Sequence, residues 1–369
     1  MNLGYDAKRA FSNTSGLGNY SRNALNALQK YYPNNNYVLF TPELKIGMLG
    51  QQKKFKIVAP PKSMSKIGKS WWRHFQVSRE LETERIDLFH GLSNELPQGI
   101  HKTGIPSVVT IHDLIFLRYP EFYKLFDRKI YARKIKYACR AATKIIAISE
   151  QTKADIVQFT GTDPKKIEII HQTISPLFFE KAATETVQKK YKLPECFVLA
   201  VGTIEERKNQ LSIVKALQAK NLDLPLVLVG NPTSYCNDIH KYLAKNNIQD
   251  KVIFLKNIPE KDLAALYHLA ELSVYISVFE GFGLPVIEAM ACKCPVITSN
   301  VSCLPETAGN AALLCSPDNE EELGDKIYKI LYDDKLKTKL IEKGTQRARE
   351  FLAENYAERL TNLYREIIQ

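Results

Sequence analysis

Short apolar runs alternate with stretches of helical periodicity along almost the whole chain, the pattern of parallel strands joined by crossover helices. In the first half, Val38–Phe40, Lys56–Ala59, Leu88–His90, Ser107–Ile111 and Lys144–Ile148 predict strands, each followed by Gly, Pro, Ser or Asn and then by helix-like sequence. Residues 127–140 carry Ile130, Ala132, Ile135 and Ala138 at roughly helical spacing and predict a helix. A second series starts near Cys196. Phe197–Gly202 reads as a buried strand ending in a Gly turn, and Leu224–Gly230, Val252–Leu255, Leu272–Ile276 and Pro295–Ser299 repeat that form. His171–Glu180, with Pro176 inside it, separates the two series, and residues 318–369 are helical and strongly charged. The expected fold is α/β, with two Rossmann-like doubly wound domains over residues 1–175 and 176–352 and a terminal helix over 353–369. Ligands of such sheets bind outside the carboxyl ends of the strands, so the loops that follow strands are where chemistry is sought.

Composition narrows the class. A chain of 369 residues, 45% hydrophobic and 25% charged, suits two soluble domains of ordinary size. No apolar run approaches the roughly 20 residues of a spanning helix. Met1–Asp6 is too short and polar for a signal peptide, which gives a cytoplasmic expectation. The 7 cysteines are odd in number and lack a Cys-x-x-Cys pair, so neither a disulfide framework nor a metal site is signalled. Cys292 and Cys294 are expected as buried thiols. The formal charge of +11 leaves nucleic acid, an anionic membrane surface or phosphorylated substrates as partners, and no nucleic-acid module is visible. Residues 51–73 hold Lys53, Lys54, Lys56, Lys62, Lys66, Lys69 and Arg73 around Trp71 and Trp72. Two readings stay open: contact with an anionic membrane carrying a lipid-linked acceptor, or a solvated loop plus a helix that buries its tryptophans.

The strongest chemical signal is Phe279-Glu280-Gly281-Phe282-Gly283-Leu284-Pro285-Val286-Ile287-Glu288-Ala289-Met290, which follows a predicted strand and opens a helix. Gly281 and Gly283 let the backbone approach a ligand closely, and the first helical amides point toward an anion. Glu280 precedes the helix; Glu288, 8 residues on, lies on its second turn, where a carboxylate can accept from ribose hydroxyls. Arg207 and Lys208 follow the Gly202 turn and can stabilise the charge that develops on a leaving diphosphate. Gly16, Leu17 and Gly18 precede a helix from Tyr20 onward. His112 stands at the end of strand Ser107–Ile111, where, on residues alone, a satisfied structural histidine is the plain reading. Asp113 either orients that imidazole or caps a helix.

These strings resemble the retaining glycosyltransferases of family 4. Glu280 and Glu288 match that family's Glu-x7-Glu motif, and Glu-Gly-Phe-Gly-Leu-Pro-x-x-Glu-Ala-Met is very close to its most specific string. Ser15-Gly16-Leu17-Gly18-Asn19-Tyr20 is similar to its N-terminal glycine loop and Val109–Leu114 to its histidine strand. Ile146–Glu150 is similar to the close of its first domain, and Val201–Asn209 to its basic phosphate loop. The resemblance extends over essentially the whole chain. It implies a GT-B fold with the donor in a central cleft that closes around it, and a C-terminal helix crossing back to the first domain. It implies that Glu280 positions the donor sugar with the Gly281–Gly283 backbone, while Glu288 holds the ribose. It further implies that His112 donates a hydrogen bond near the transferred sugar, that Gly16–Gly18 face donor or acceptor, and that Asn257 and Ile258 meet the base through backbone atoms. Many relatives carry Arg at the position of Thr203, so Arg207 is expected to supply the second charge beside Lys208. Glu306 either supports the cleft or starts a helix. No Asp-x-Asp occurs, so transfer without a metal or other cofactor is expected, with the nucleotide sugar as co-substrate. Val-Thr-Ile-His-Asp-Leu with Glu-Glu-Arg-Lys-Asn favours the mannosyltransferase-like branch and GDP-mannose over UDP-sugars. The expected acceptor is a surface polysaccharide or lipid-linked glycan; a UDP-sugar enzyme and a non-catalytic nucleotide-sugar binder are the alternatives.

Overall fold

The computed structural model describes residues 1–13, 16–44 and 54–369. Ser15 of the glycine loop and residues 51–53 of the basic stretch lie outside the described residues. The chain forms two compact units, Met1–Thr173 together with Ala353–Gln369, and Ile174–Leu352.

The first unit is built on a 7-stranded sheet in the order β3-β2-β1-β4-β5-β6-β7. Its strands are β1 Asn2–Asp6, β2 Asn36–Phe40, β3 Lys56–Val58, β4 Leu88–Gly91, β5 Ser107–Ile111, β6 Lys144–Ala147 and β7 Ile167–Ile169. All pairings are parallel. One face packs on the Gly16–Tyr31 helix and on the terminal Ala353–Ile368 helix, whose Tyr356, Leu360 and Tyr364 join Leu3, Tyr5, Leu25 and Leu28 in one core. The other face packs on Val77, Leu81, Ile135 and Ile156 from helices over Val77–Thr83, Leu125–Ala141 and Glu150–Thr160.

The second unit repeats the plan on a 6-stranded parallel sheet in the order β10-β9-β8-β11-β12-β13. Its strands are β8 Val198–Val201, β9 Leu226–Val229, β10 Val252–Leu255, β11 Leu272–Tyr275, β12 Val296–Ser299 and β13 Leu313–Cys315. Crossover helices bury Ile213, Leu217, Ile239 and Ile327 against it. In both sheets the strand order reverses once, between β1 and β4 and between β8 and β11. That reversal opens a crevice at the carboxyl ends of those strands.

Three strands are absent from the sequence reading: β1, β7 and β13. The N-terminus, read only as too polar for a leader, is an interior strand of its sheet, between β2 and β4, with Leu3 and Tyr5 fully buried. Its polar residues are satisfied at the strand ends, where the Asn2 side chain donates to the carbonyls of Glu84 and Arg85. The basic stretch is corrected in detail. Lys66–Trp71 and Val77–Thr83 are α-helical and joined by a π turn over Trp72–Gln76. Trp72 is buried while Trp71 is exposed. Arg73 is not a surface cation: it is buried, bidentate on Asp6 and 2.6 Å from Glu95. Every cysteine is free, and all but Cys196 are buried.

Candidate functional site

In the second unit the motif residues gather at the crevice beyond β8 and β11. Gly202 leaves β8 with φ +141°, a conformation that favours glycine, and the Lys208 side chain lies over it. Arg207 and Lys208 sit in a short 3₁₀ turn, Glu206–Lys208, ended by Asn209 in the left-handed region. Beyond β11, four side chains from residues 299–307 hold the next loop. Ser299 Oγ donates to the Ser277 carbonyl at 2.6 Å, and Thr307 Oγ1 to that of Phe282 at 2.6 Å. Cys303 Sγ donates to the Glu280 carbonyl, and Ser302 Oγ accepts from the Glu280 amide. Gly283 sits at φ +99°, a backbone conformation that favours glycine, and an added Cβ would lie 2.5 Å from Leu304 Cδ2, so that side chain would have to shift. The helix Leu284–Ala291 starts directly after it.

This scaffold brings one carboxylate against two cations. Glu280 Oε1 lies 2.7 Å from Arg207 Nη1 and 2.5 Å from Lys208 Nζ, with all three side chains largely buried. Arg207 also donates to the Phe279 carbonyl at 2.6 Å and pairs with Glu205 at 2.5 Å. Lys208 donates to the Tyr275 hydroxyl, with its ammonium 4.6 Å from the ring centroid. Burial alone pushes the Glu280 carboxyl up, but Lys208 and Arg207 outweigh it and hold the group at about 2. Burial pulls the Lys208 ammonium down against the opposing pull of Glu280.

Glu288 has the opposite environment. It lies on the second turn of Leu284–Ala291, and its Oε2 accepts from the Tyr267 hydroxyl at 3.2 Å. Burial, reinforced by the charge of Glu260, raises its carboxyl to about 8. Asn257, in the left-handed region, and Ile258 follow β10 at the same end of the sheet. A separate apolar pocket lined by Leu217, Leu222, Leu226 and Val252 lies at the amino ends of β9 and β10, away from this chemistry.

In the first unit, His112 directly follows β5 and is buried. Its Nε2–H donates to the Leu92 carbonyl at 2.9 Å, and its Nδ1 accepts from Gln172 Nε2 at 3.1 Å. Burial lowers the imidazole to about 4, so the ring is neutral near pH 7. Leu92 and Gln172 therefore orient it, whereas Asp113 accepts from the Ile115 amide at 3.2 Å in the manner of a helix-start turn. Gly16, Leu17 and Gly18 do not precede the helix but form its first turn. Gly18 is required by packing, since a Cβ there would meet the Asn13 carbonyl oxygen at 1.8 Å. Leu17 and Asp113 line a pocket shared with Arg9, Asn94, Tyr131 and Lys134. The sequence reading missed Arg9 and Asn94. Arg9 follows the unrecognised β1, and Asn94, whose Oδ1 accepts from the His112 amide at 2.8 Å, follows β4 without any motif spacing. Glu306 lies in the first turn of the short helix Leu304–Ala308.

Two family descriptions match the chain: "Glycosyl transferases group 1" over residues 183–347 and "Glycosyltransferase Family 4" over residues 14–176. The chain is 28% identical over 286 residues to O-antigen chain mannosyltransferase B of Escherichia coli, covering 75% of this chain and 74% of that one. It is 31% identical over 223 residues to O-antigen chain mannosyltransferase RfbU of Salmonella typhimurium, 60% of each. Against the serotype-specific mannosyltransferase WbdA of Escherichia coli it is 29% identical over 264 residues, 68% of this chain but 32% of that longer relative. Among solved structures, Anabaena Alr3699/HepE in complex with UDP and glucose superposes with a TM-score of 0.79 at 17% identity, over 99% of this chain and 100% of that one. WaaG, a glycosyltransferase involved in lipopolysaccharide biosynthesis, gives 0.72 at 18% identity, over 99% of each. At these identities the solved structures show a shared fold.

Proposed function

The chain belongs to the family 4, group 1 glycosyltransferases and has their GT-B fold, and from that premise we propose that it transfers mannose from GDP-mannose, with retention and without a metal, to a glycan or lipid-linked acceptor in surface-polysaccharide synthesis. The observation that carries the reading is the buried Arg207–Glu280–Lys208 cluster at the β8/β11 crevice. The names of the mannosyltransferase relatives support the choice of sugar.

The cluster suits a diphosphate leaving group. Without donor, Glu280 neutralises both cations. An arriving diphosphate brings two charges and several acceptor oxygens, and so competes for Arg207 and Lys208 on favourable terms. Glu280, released from them, turns its oxygens to the hydroxyls of the transferred sugar. As the glycosidic bond breaks, charge builds on the leaving phosphate and the two cations hold it, the work a metal does elsewhere. The Gly281–Gly283 backbone lies beside the same anion. Glu288 accepts the ribose hydroxyls, and the neutral His112 donates its Nε2–H to the sugar by exchanging its present acceptor, the Leu92 carbonyl, for a sugar oxygen.

The test is sugar release and transfer by the purified chain with GDP-mannose and UDP-glucose as rival donors, with and without EDTA. Turnover of GDP-mannose alone, unaffected by EDTA and reduced on the order of 100-fold or more in Glu280→Ala, is expected. Preference for UDP-glucose would move the reading to a UDP-sugar enzyme. Nucleotide binding without turnover would leave a non-catalytic partner.

A further inference from the structure

Two helical segments of the first unit, residues 66–76 and Leu125–Ala141, expose apolar residues that no packing role explains. Ile67 is 84% exposed, Trp71 52% and Phe75 52%, and they recur every fourth residue through Lys66–Trp71 and the π turn. Trp71 and Phe75 neighbour each other along this ridge, their rings tilted with centroids 5.9 Å apart, while Trp72 and Arg73 are buried. On the Leu125–Ala141 helix, Leu125, Phe126 (73%) and Ile130 are also exposed. Phe126, Ile130, Arg133, Tyr137 and Arg140 recur at intervals of four and three, so they form one stripe of that helix. The stripe adjoins the ridge, because Phe75, Arg133, Tyr137 and Arg140 line one shallow pocket.

The charge around this face has one sign. The Leu125–Ala141 helix carries Arg128, Lys129, Arg133, Lys136 and Arg140 against the single acid Asp127, with Lys134 paired to Glu95, and residues 66–76 add Lys66 and Lys69 with no acid, Arg73 being buried on Asp6 and Glu95. Of these, Lys66, Lys129, Arg133, Lys136 and Arg140 are exposed. We propose that this face, the Ile67–Trp71–Phe75 ridge with the Phe126–Arg140 stripe, docks the protein on an anionic bilayer surface. Aromatic and aliphatic side chains enter the headgroup boundary, and the flanking Lys and Arg meet the lipid phosphates. Charge complementarity selects this occupant. A second copy would set like charges against each other, and a nucleic acid would leave Ile67, Leu125 and Phe126 against a polar backbone. The contact is interfacial, since among the described residues no helix is long and apolar enough to cross a membrane.

The proposal does not depend on the donor, and a failed GDP-mannose assay leaves it standing. It is tested by co-sedimentation of the full chain with vesicles of phosphatidylglycerol mixed into phosphatidylcholine, and of phosphatidylcholine alone. Binding to the anionic vesicles, at least about tenfold tighter than to the neutral ones and weakened by salt, is expected. Brominated lipid should quench the fluorescence of Trp71. Trp71→Ser with Phe126→Ser should abolish sedimentation, and Lys129→Ala with Arg133→Ala should weaken it roughly tenfold or more, with melting temperatures unchanged. Equal binding to both vesicles, or undiminished binding of both double variants, overturns the proposal. So does a concentration-dependent dimer that Phe126→Ser disperses.

Discussion

Glu280 and Glu288 are the same side chain 8 residues apart, both largely withdrawn from water, yet one is ionised at about 2 and the other at about 8. The difference is the company each keeps. Two cations surround Glu280, whereas Glu288 has a tyrosine hydroxyl and the charge of Glu260 nearby. For Glu288 the folded-state value lies above the ordinary 4.5, so the native state holds that proton more tightly than the unfolded chain. Its contribution to stability is complete below pH 4.5 and is lost as pH rises through about 8. The melting temperature of the wild type should therefore fall relative to Glu288→Gln as pH is raised from about 5 to 8. If the ionised carboxylate is what receives the ribose, nucleotide affinity should rise over the same interval, and calorimetric titration of Glu288→Gln should find that dependence gone. Arg207→Ala leaves Glu280 with Lys208 alone, and donor affinity and rate should both drop, together on the order of 100-fold. A variant with unchanged kinetics would remove Arg207 from the phosphate-binding role.

At the level of elements, the loop after β11 owes its shape to its neighbours. Ser299, Ser302, Cys303 and Thr307 fix its backbone, and Gly283 allows both the positive φ and the approach of Leu304. Gly283→Ala should cost about 1–3 kcal/mol in denaturant unfolding and lower turnover beyond what stability explains. This loop was legible in the sequence because its requirements are local: glycines at fixed offsets, a carboxylate before a helix and another two turns inside. Strands Ser107–Ile111 and Val252–Leu255 were equally legible, being apolar runs bounded by breakers. β1 was not, because Asn-Leu-Gly-Tyr-Asp spends its polar residues on strand-end contacts with partners more than 60 positions away. β7 and β13 span Ile167–Ile169 and Leu313–Cys315 at sheet edges, too short for periodicity to register. The same distance in sequence hid the Asp6–Arg73–Glu95 pairs and Asn94 beneath His112, which only the sheet brings together.

For the whole molecule, the division of the chain is uneven: residues 353–369 follow the second unit in sequence but complete the core of the first. Tyr356 donates to Tyr20 at 2.8 Å, and the Tyr364 hydroxyl meets His90 Nδ1 at 2.6 Å, so the helix supplies polar as well as apolar partners. Leu360, fully buried in that core, should cost about 2–5 kcal/mol when changed to Ala. A chain ending at Leu352 should show protease sensitivity confined to the first unit, with the second still protected. The consequence reaches back to the ribosome. Domains are ordinarily finished in the order they are translated, but here the earlier one waits for the last piece. The nascent first unit emerges with the Tyr5–Leu28 side of its sheet uncovered and must stay soluble while all of residues 174–352 are being synthesised. Its final closure therefore comes after its neighbour's, which makes that interval the stage at which chaperone dependence should concentrate.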